Sequence, residues 1–163
     1  MRLRQVVIAA DKLDPVVENL NRLLGLKVAY RDPLVAHYGL VNAVMPVGGE
    51  FLEVVQPTRD DASAARYLKR KGGDAGYMVI LQDGDAVARR RRLEAMGVRS
   101  VDHGDTAEFT YTHYHPADFT GVLASIDTIK GVADWQAPQS DWPYAGPDWR
   151  ANQPDGAPGG VAG

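Results

Sequence analysis

Apolar residues recur along this chain in two rhythms, and the order of the rhythms repeats. "RQVVIAA" (residues 4–10) is a short β-branched run that predicts a strand. In "DPVVENLNRLLGL" (14–26), Val16, Val17, Leu20, Leu23 and Leu24 fall at helical spacing. Asp14 is placed to cap that helix, Pro15 to open it and Gly25 to stop it. "KVAYR", "VAHYGLVNAVMPV" and "EFLEVVQP" predict three strands, with "VGGE" as the hairpin turn before the third. The order is βαβββ.

The same order returns in the second half. "GYMVILQD" (76–83) predicts a strand and "DAVARRRRLEAMGV" (85–98) a helix ending at Gly97. "RSVDH", "EFTYTHYHP" and "TGVLASIDT" complete the set. A constant offset of 72 pairs Val7 with Val79, Ile8 with Ile80, Asp11 with Asp83, Gly25 with Gly97, Gly49 with Gly121 and Val54 with Ile126. Recurrence of the Asp, the helix-stopping Gly and the hairpin Gly argues for internal duplication. The expected fold is therefore α+β, with two tandem βαβββ modules (3–56 and 76–128) within one domain over 1–131. Two such modules make a curved sheet whose concave side suits a small molecule. At the same offset, Gln5 is matched with Tyr77 and Glu53 with Ser125.

Composition narrows the function classes. A net charge of −3 gives no footing for nucleic acid. No apolar run approaches a membrane span, and the five-residue run before Asp11 is too short for a signal peptide core. The absence of Cys removes disulfides, thiolate ligands and a Cys nucleophile, and fits a cytoplasmic protein. Arg89–Arg92 read as a solvated helix face.

The chemistry concentrates in a few residues. Alternation places Phe51, Glu53 and Val55 on one face. If that face is the concave one, desolvation suits Glu53 to act as a general base; otherwise Leu52 and Val54 point inward and Glu53 meets solvent. Tyr77 is a candidate donor to a developing enolate. Asn42, in mid-strand, either binds substrate or satisfies a neighbouring backbone group. In "YTHYHPADFTGVLASIDT" (111–128), His113 and His115 share strand spacing and flank the strand of Ser125. Both are candidates for the site; the plainer reading has His115 capping the turn before Pro116.

"HPADFTGVLASID" and "GLVNAVMPVGGEFLEVVQP" resemble hairpins of the vicinal oxygen chelate superfamily, over residues 3–128, the former with local similarity to methylmalonyl-CoA epimerases. The superfamily also includes glyoxalase I, extradiol dioxygenases and drug-resistance binding proteins. The resemblance implies a divalent metal (Zn, Mn, Mg or Fe) held from the first and fourth strand of each module, at positions matching Gln5, Glu53, Tyr77 and Ser125. Tyr and Ser replace the usual His and Glu there, so the standard centre is incomplete. A substitute set would be Gln5, Glu53 and His115. The epimerase likeness also offers Arg89–Arg92 as a grip for coenzyme A phosphates.

From Gly131 the composition turns to Pro, Gly and Trp, with Asp-Trp at 134, 141 and 148. The 132–163 tail is expected to dock in part through Trp135, Trp142 and Trp149, and "PDGAPGGVAG" to be disordered. The chain thus reads as a glyoxalase-like, cytoplasmic, homodimeric small-molecule protein. Its leading activity is that of a lyase or isomerase acting beside a carbonyl, with catalytic Glu53, His115 and Tyr77 and substrate contacts from Asn42, His113 and Ser125. A metal-free sequestering protein is the alternative, followed by an extradiol dioxygenase.

Overall fold

A computed structural model describes residues 1–154. In chain order its elements are β1 (Arg2–Ala9), α1 (Leu13–Leu24), β2 (Leu40–Val47), β3 (Glu50–Pro57), α2 (Ser63–Lys71), β4 (Ala75–Gln82), α3 (Ala86–Ala95), β5 (Ser100–Asp105), β6 (Phe109–Tyr114) and β7 (Leu123–Ile129). Short 3₁₀ turns lie at Pro33–Tyr38, Pro116–Asp118, Pro143–Ala145 and Trp149–Asn152. This is the α+β class expected. The expectation for "PDGAPGGVAG" falls, from Asp155 on, outside the described residues. Among the described residues no helix is long and apolar enough to cross a membrane.

The chain divides into two compact units. One joins Met1–Gln5 to Met78–Asp141, the other Val6–Tyr77 to the segment from Trp142 onward. In the Met78–Asp141 unit, β4 runs parallel to β7, which pairs antiparallel with β6, and β6 with β5. Ala86, Tyr114 and Ile126 form its core with Leu81, Leu93 and Phe119. In the Val6–Tyr77 unit, β2 and β3 form an antiparallel hairpin in which Val47 faces Glu50 across Gly48 and Gly49. The "VGGE" turn is where the pattern placed it, and Gly48 adopts φ +68°, a conformation open to glycine at little cost. Ala10, Leu13, Leu26, Ala43, Met45 and Val54 make this unit's core, with Val16, Val17 and Leu20 packed against it.

Three expectations need correction. The helix expected from Asp14 begins at Leu13; its cap position is Lys12, which makes no side-chain cap, and Asp14 sits inside the first turn. Leu23 and Leu24, expected in the apolar stripe, are 66% and 60% exposed. The left-handed turn at Gly25 instead sends Leu26 back into the core. "KVAYR" forms no strand: it touches β2 through a single bridge, Tyr30 to Val44, and "VAHY" coils into the Pro33–Tyr38 turn, capped by Asp32 through Leu34 N (2.9 Å). Pro33 and the Asx cap outcompete strand extension there.

Helices α1 and α3 differ in their caps. Asp85 accepts a hydrogen bond from Ala88 N at 2.9 Å, as a helix N-cap should. Asp85→Ala is expected to lower unfolding free energy by about 1 kcal/mol, whereas Asp14→Ala should cost under about 0.5 kcal/mol. Urea unfolding of both variants checks the contrast.

Candidate functional site

The β2–β3 hairpin positions Glu53. Leu52 and Val54 turn toward α1, so Phe51, Glu53 and Val55 share the opposite face. That face is also shielded, and Glu53 is only 6% exposed. The strand is thus covered on both sides. Asn42, on the same face of β2, donates its side-chain amide to Glu53 Oε1 at 2.6 Å. Its own carbonyl oxygen accepts from Asp32 N at 2.8 Å, which fixes the amide's orientation. Asn42 therefore holds the carboxylate and ties it to the loop ahead of the 3₁₀ turn. An open cavity of about 510 Å³ lies nearby, lined by Leu13, Arg31, Asp32, Leu40, Asn42 and Gln56; Glu53 is not part of its lining.

A second polar cluster lies in the Met78–Asp141 unit. Register places Ile80 beside Ser125 and Ser125 beside His113, and Gln82 beside Asp127 and Asp127 beside Tyr111. Since Leu81, Ile126 and Tyr114 fill the helix-side core, these residues share the other face. The Ser125 hydroxyl donates to the Asp127 carboxylate and lies 3.3 Å from the Thr112 carbonyl oxygen. Ser125 is therefore the support of a buried acid two residues along its own strand. His113 packs against Tyr111 (ring centroids 5.0 Å apart), with Asp102 3.9 Å from Nδ1. Burial brings its pKa down to about 4 against the opposing pull of Asp102, leaving the ring neutral at pH 7. Gln82 is fully buried, and neither polar atom of its side-chain amide has a hydrogen-bond partner among the described residues.

His115 takes the plainer of its two expected roles. Its Nδ1 accepts from Ala117 N at 3.2 Å, capping the Pro116–Asp118 turn. Asp118 then clamps that turn to Arg99 through Arg99 N (2.9 Å), Nε (3.0 Å) and Nη2 (2.8 Å). His-Pro-Ala-Asp is a corner held by two caps. Tyr77 packs against Tyr67 of α2 (ring centroids 5.2 Å apart), and burial raises its phenol pKa. In the arginine run, Arg89 is paired with Asp83 at 2.9 Å, and Arg91 and Arg92 are exposed.

The offset of 72 holds for only part of the repeat. Ala10 N donates to Val55 O, and Asp83 N donates to Asp127 O. Val55 and Asp127 stand 72 apart, but Ala10 and Asp83 stand 73 apart. The first strands therefore correspond with a one-residue slip, and burial agrees: Gln5 and Val7 (both 2%) match Met78 (9%) and Ile80 (8%). The counterpart of Gln5 is Met78, and Tyr77 lies on the alternate set of β4 side chains. Apolar runs of similar length concealed this slip, since either register pairs hydrophobic with hydrophobic.

The implied divalent metal does not fit the donors present. Met78, a soft thioether, stands in the repeat where Gln5 stands in the first half. Ser125 is engaged by Asp127, and His115 Nδ1 by a backbone amide. Among the described residues no three His, Cys, Asp or Glu side chains group closely enough to hold a metal ion. The facial array of an iron dioxygenase is likewise not assembled among them. Asp102, Asp127 and Gln82 were not singled out by the sequence reading, although the period-two placement of Ser125 and Asp127 was the available signal.

A family model described as glyoxalase-like domain matches residues 6–142. No curated protein matches the chain. Among solved structures, a variant of Streptomyces coelicolor methylmalonyl-CoA epimerase in complex with 2-nitronate-propionyl-CoA is similar at 23% identity and a TM-score of 0.72, over 80% of this chain and 99% of that one. Methylmalonyl-CoA epimerase from Mycobacterium tuberculosis is similar at 24% identity and 0.70, over 78% and 87%. A hypothetical protein from Bacillus halodurans C-125 is similar at 19% and 0.71, over 81% and 96%. At these identities the likeness establishes the fold, that of the vicinal oxygen chelate proteins.

Two measurements check the site. Asn42→Ala leaves the buried Glu53 carboxylate one donor short and should cost about 1–3 kcal/mol of stability, read by denaturant unfolding. For His113 the folded pKa of about 4 lies below the unfolded 6.5, so the unfolded chain binds more protons between these values. Its contribution is fully present above pH 6.5 and is lost as pH falls toward 4. NMR titration of the ring should give a midpoint near 4, and a midpoint above 6 would contradict the burial argument.

Proposed function

The chain belongs to the glyoxalase-like domain family, and from that premise we propose that it is an isomerase or lyase acting beside the carbonyl of a small organic substrate, with Glu53 as the base. One observation carries the reading: a carboxylate 6% exposed, held at 2.6 Å by Asn42 on a strand face otherwise presenting Phe51 and Val55. Removed from water, such a carboxylate accepts a carbon-bound proton more readily than an exposed one. The C–H electron pair passes into the adjoining carbonyl as an enolate while Glu53 keeps the proton. Protonation of the other face by a water molecule, whose hydroxide takes up the proton held on Glu53, gives an isomer. Departure of a β-substituent with its bonding pair gives an elimination product. Asn42 acts by fixing the carboxylate's direction. The 2-nitronate-propionyl-CoA and methylmalonyl-CoA named for similar structures make an acyl thioester a reasonable first substrate class.

A metal-free binding protein is the second reading, favoured by the engagement of Ser125 with Asp127 and by Met78 opposite Gln5 in the repeat. The two separate in one experiment. Methylmalonyl-CoA in D₂O, followed by NMR, should exchange its acidic C–H far faster with the protein than in buffer, and Glu53→Gln should slow it by about 10²–10⁴-fold. Binding of the thioester with no exchange above buffer, unchanged in Glu53→Gln, would establish the second reading instead.

A further inference from the structure

Arg90 departs from the other arginines of its run. Ala86, Arg90 and Leu93 fall at i, i+4 and i+7 along α3, the spacing of a single helix stripe. Ala86 and Leu93 pack into the core with Tyr114 and Ile126. An arginine thus stands between two core residues, and its Nη1 is buried without a hydrogen-bond partner among the described residues. The sheet beneath supplies two more such atoms. Thr112 and Tyr114 alternate along β6, so they share its helix-side face, and both are 0% exposed. The Thr112 Oγ1 and the Tyr114 hydroxyl likewise have no hydrogen-bond partner among the described residues. Burial raises the Tyr114 phenol's pKa, while the Thr112 hydroxyl and the Arg90 guanidinium pull it down, so all three groups lie within electrostatic reach of one another.

We propose that Arg90 Nη1, Thr112 Oγ1 and the Tyr114 hydroxyl form a site for a small monovalent anion of chloride size, pinned between α3 and β6. All three atoms can donate a hydrogen bond, and one belongs to a cation. A buried cationic donor calls for a counter-charge more than for a neutral partner. The carboxylates within electrostatic reach are committed elsewhere. Glu94 Oε1 accepts from Ser100 Oγ at 2.9 Å, and Asp105 Oδ1 accepts from Thr110 Oγ1 (2.9 Å) and Lys130 Nζ (2.5 Å). Water is the rival occupant; it would satisfy the hydroxyls but bring no charge to Arg90, whereas an anion accepts from all three donors at once. Arg91 and Arg92 add to the local positive field, and Asp83 offsets Arg89. Because the three atoms are closed to solvent, the occupant is small. The site lies across the sheet from Ser125, Asp127 and His113, and it does not rest on the reading of Glu53.

The test uses the full chain. Thermal unfolding in sodium chloride is compared with unfolding in sodium gluconate at equal ionic strength. Tm should rise with chloride by roughly 5 °C over a hundredfold increase above its dissociation constant, and gluconate should not reproduce the rise. Thr112→Val keeps the side chain's shape and removes a donor; Arg90→Met keeps the stem and removes the charge. Each should weaken the apparent affinity for chloride by about tenfold or more. An orphaned hydroxyl with no ligand would give the opposite pattern: Thr112→Val would leave the chloride dependence untouched. Crystals of the natural protein grown in sodium bromide should show an anomalous peak within hydrogen-bond distance of Arg90 Nη1, Thr112 Oγ1 and the Tyr114 hydroxyl. Equal Tm in the two salts, a chloride effect retained in both variants, or a water with no anomalous signal at that place would each overturn the proposal. The bromide measurement needs no substitution, so it decides the matter even if a variant does not fold.

Discussion

Burial of one strand from both sides is the constraint on which the candidate site depends. Strand β3 gives Leu52 and Val54 to the helix side and Phe51 and Val55 to the other, and neither side faces water. A carboxylate in such a strand must find a donor within the protein, because an unpaired buried charge is far more costly than the hydrogen bond that relieves it. Asn42 is that donor. Asn is a poor strand former, and here its amide, itself oriented by Asp32 N, makes the position of Glu53 compatible with the fold.

Much of this was legible from periodicity. The βαβββ order of the second half, the hairpin at Gly48–Gly49 and the helix stops at Gly25 and Gly97 follow from backbone rules that act locally. Two kinds of information were not local. The polar helix α2 buries only Ala64 and Leu68, too narrow an apolar stripe to announce itself. The face of Glu53 was undecidable because the alternation has apolar residues on both sides; the rings that cover Phe51 on the second side, Trp142 and Trp149, come from more than ninety positions away. Propensity reasoning also misjudged "KVAYR", where one bridge to Val44 and a proline-led turn stand in place of a strand.

The two halves show how a repeated scaffold separates its chemistry. At equivalent places in the last strand of each repeat stand Glu53 and Ser125, both buried. The first is served by a neighbouring strand's amide. The second serves Asp127, and the acid has in effect moved two positions along. A fully buried Gln82 beside Asp127 adds a polar floor that the first repeat, with Ala9 at the equivalent place, does not possess.

The changing spacing between the halves also governs how this chain can be recombined. Eleven positions separate paired Ala43 and Val54, but fourteen separate paired Thr112 and Ile126, the excess being the length of the Pro116–Asp118 turn. With the extra residue between β1 and β4, no single alignment superimposes the copies. A graft of one opening strand onto the other half, cut at a uniform 72, would enter one residue out of phase and turn its core-facing side chains outward. Chimeras and consensus versions of this fold must therefore be spliced strand by strand, on hydrogen-bond partners.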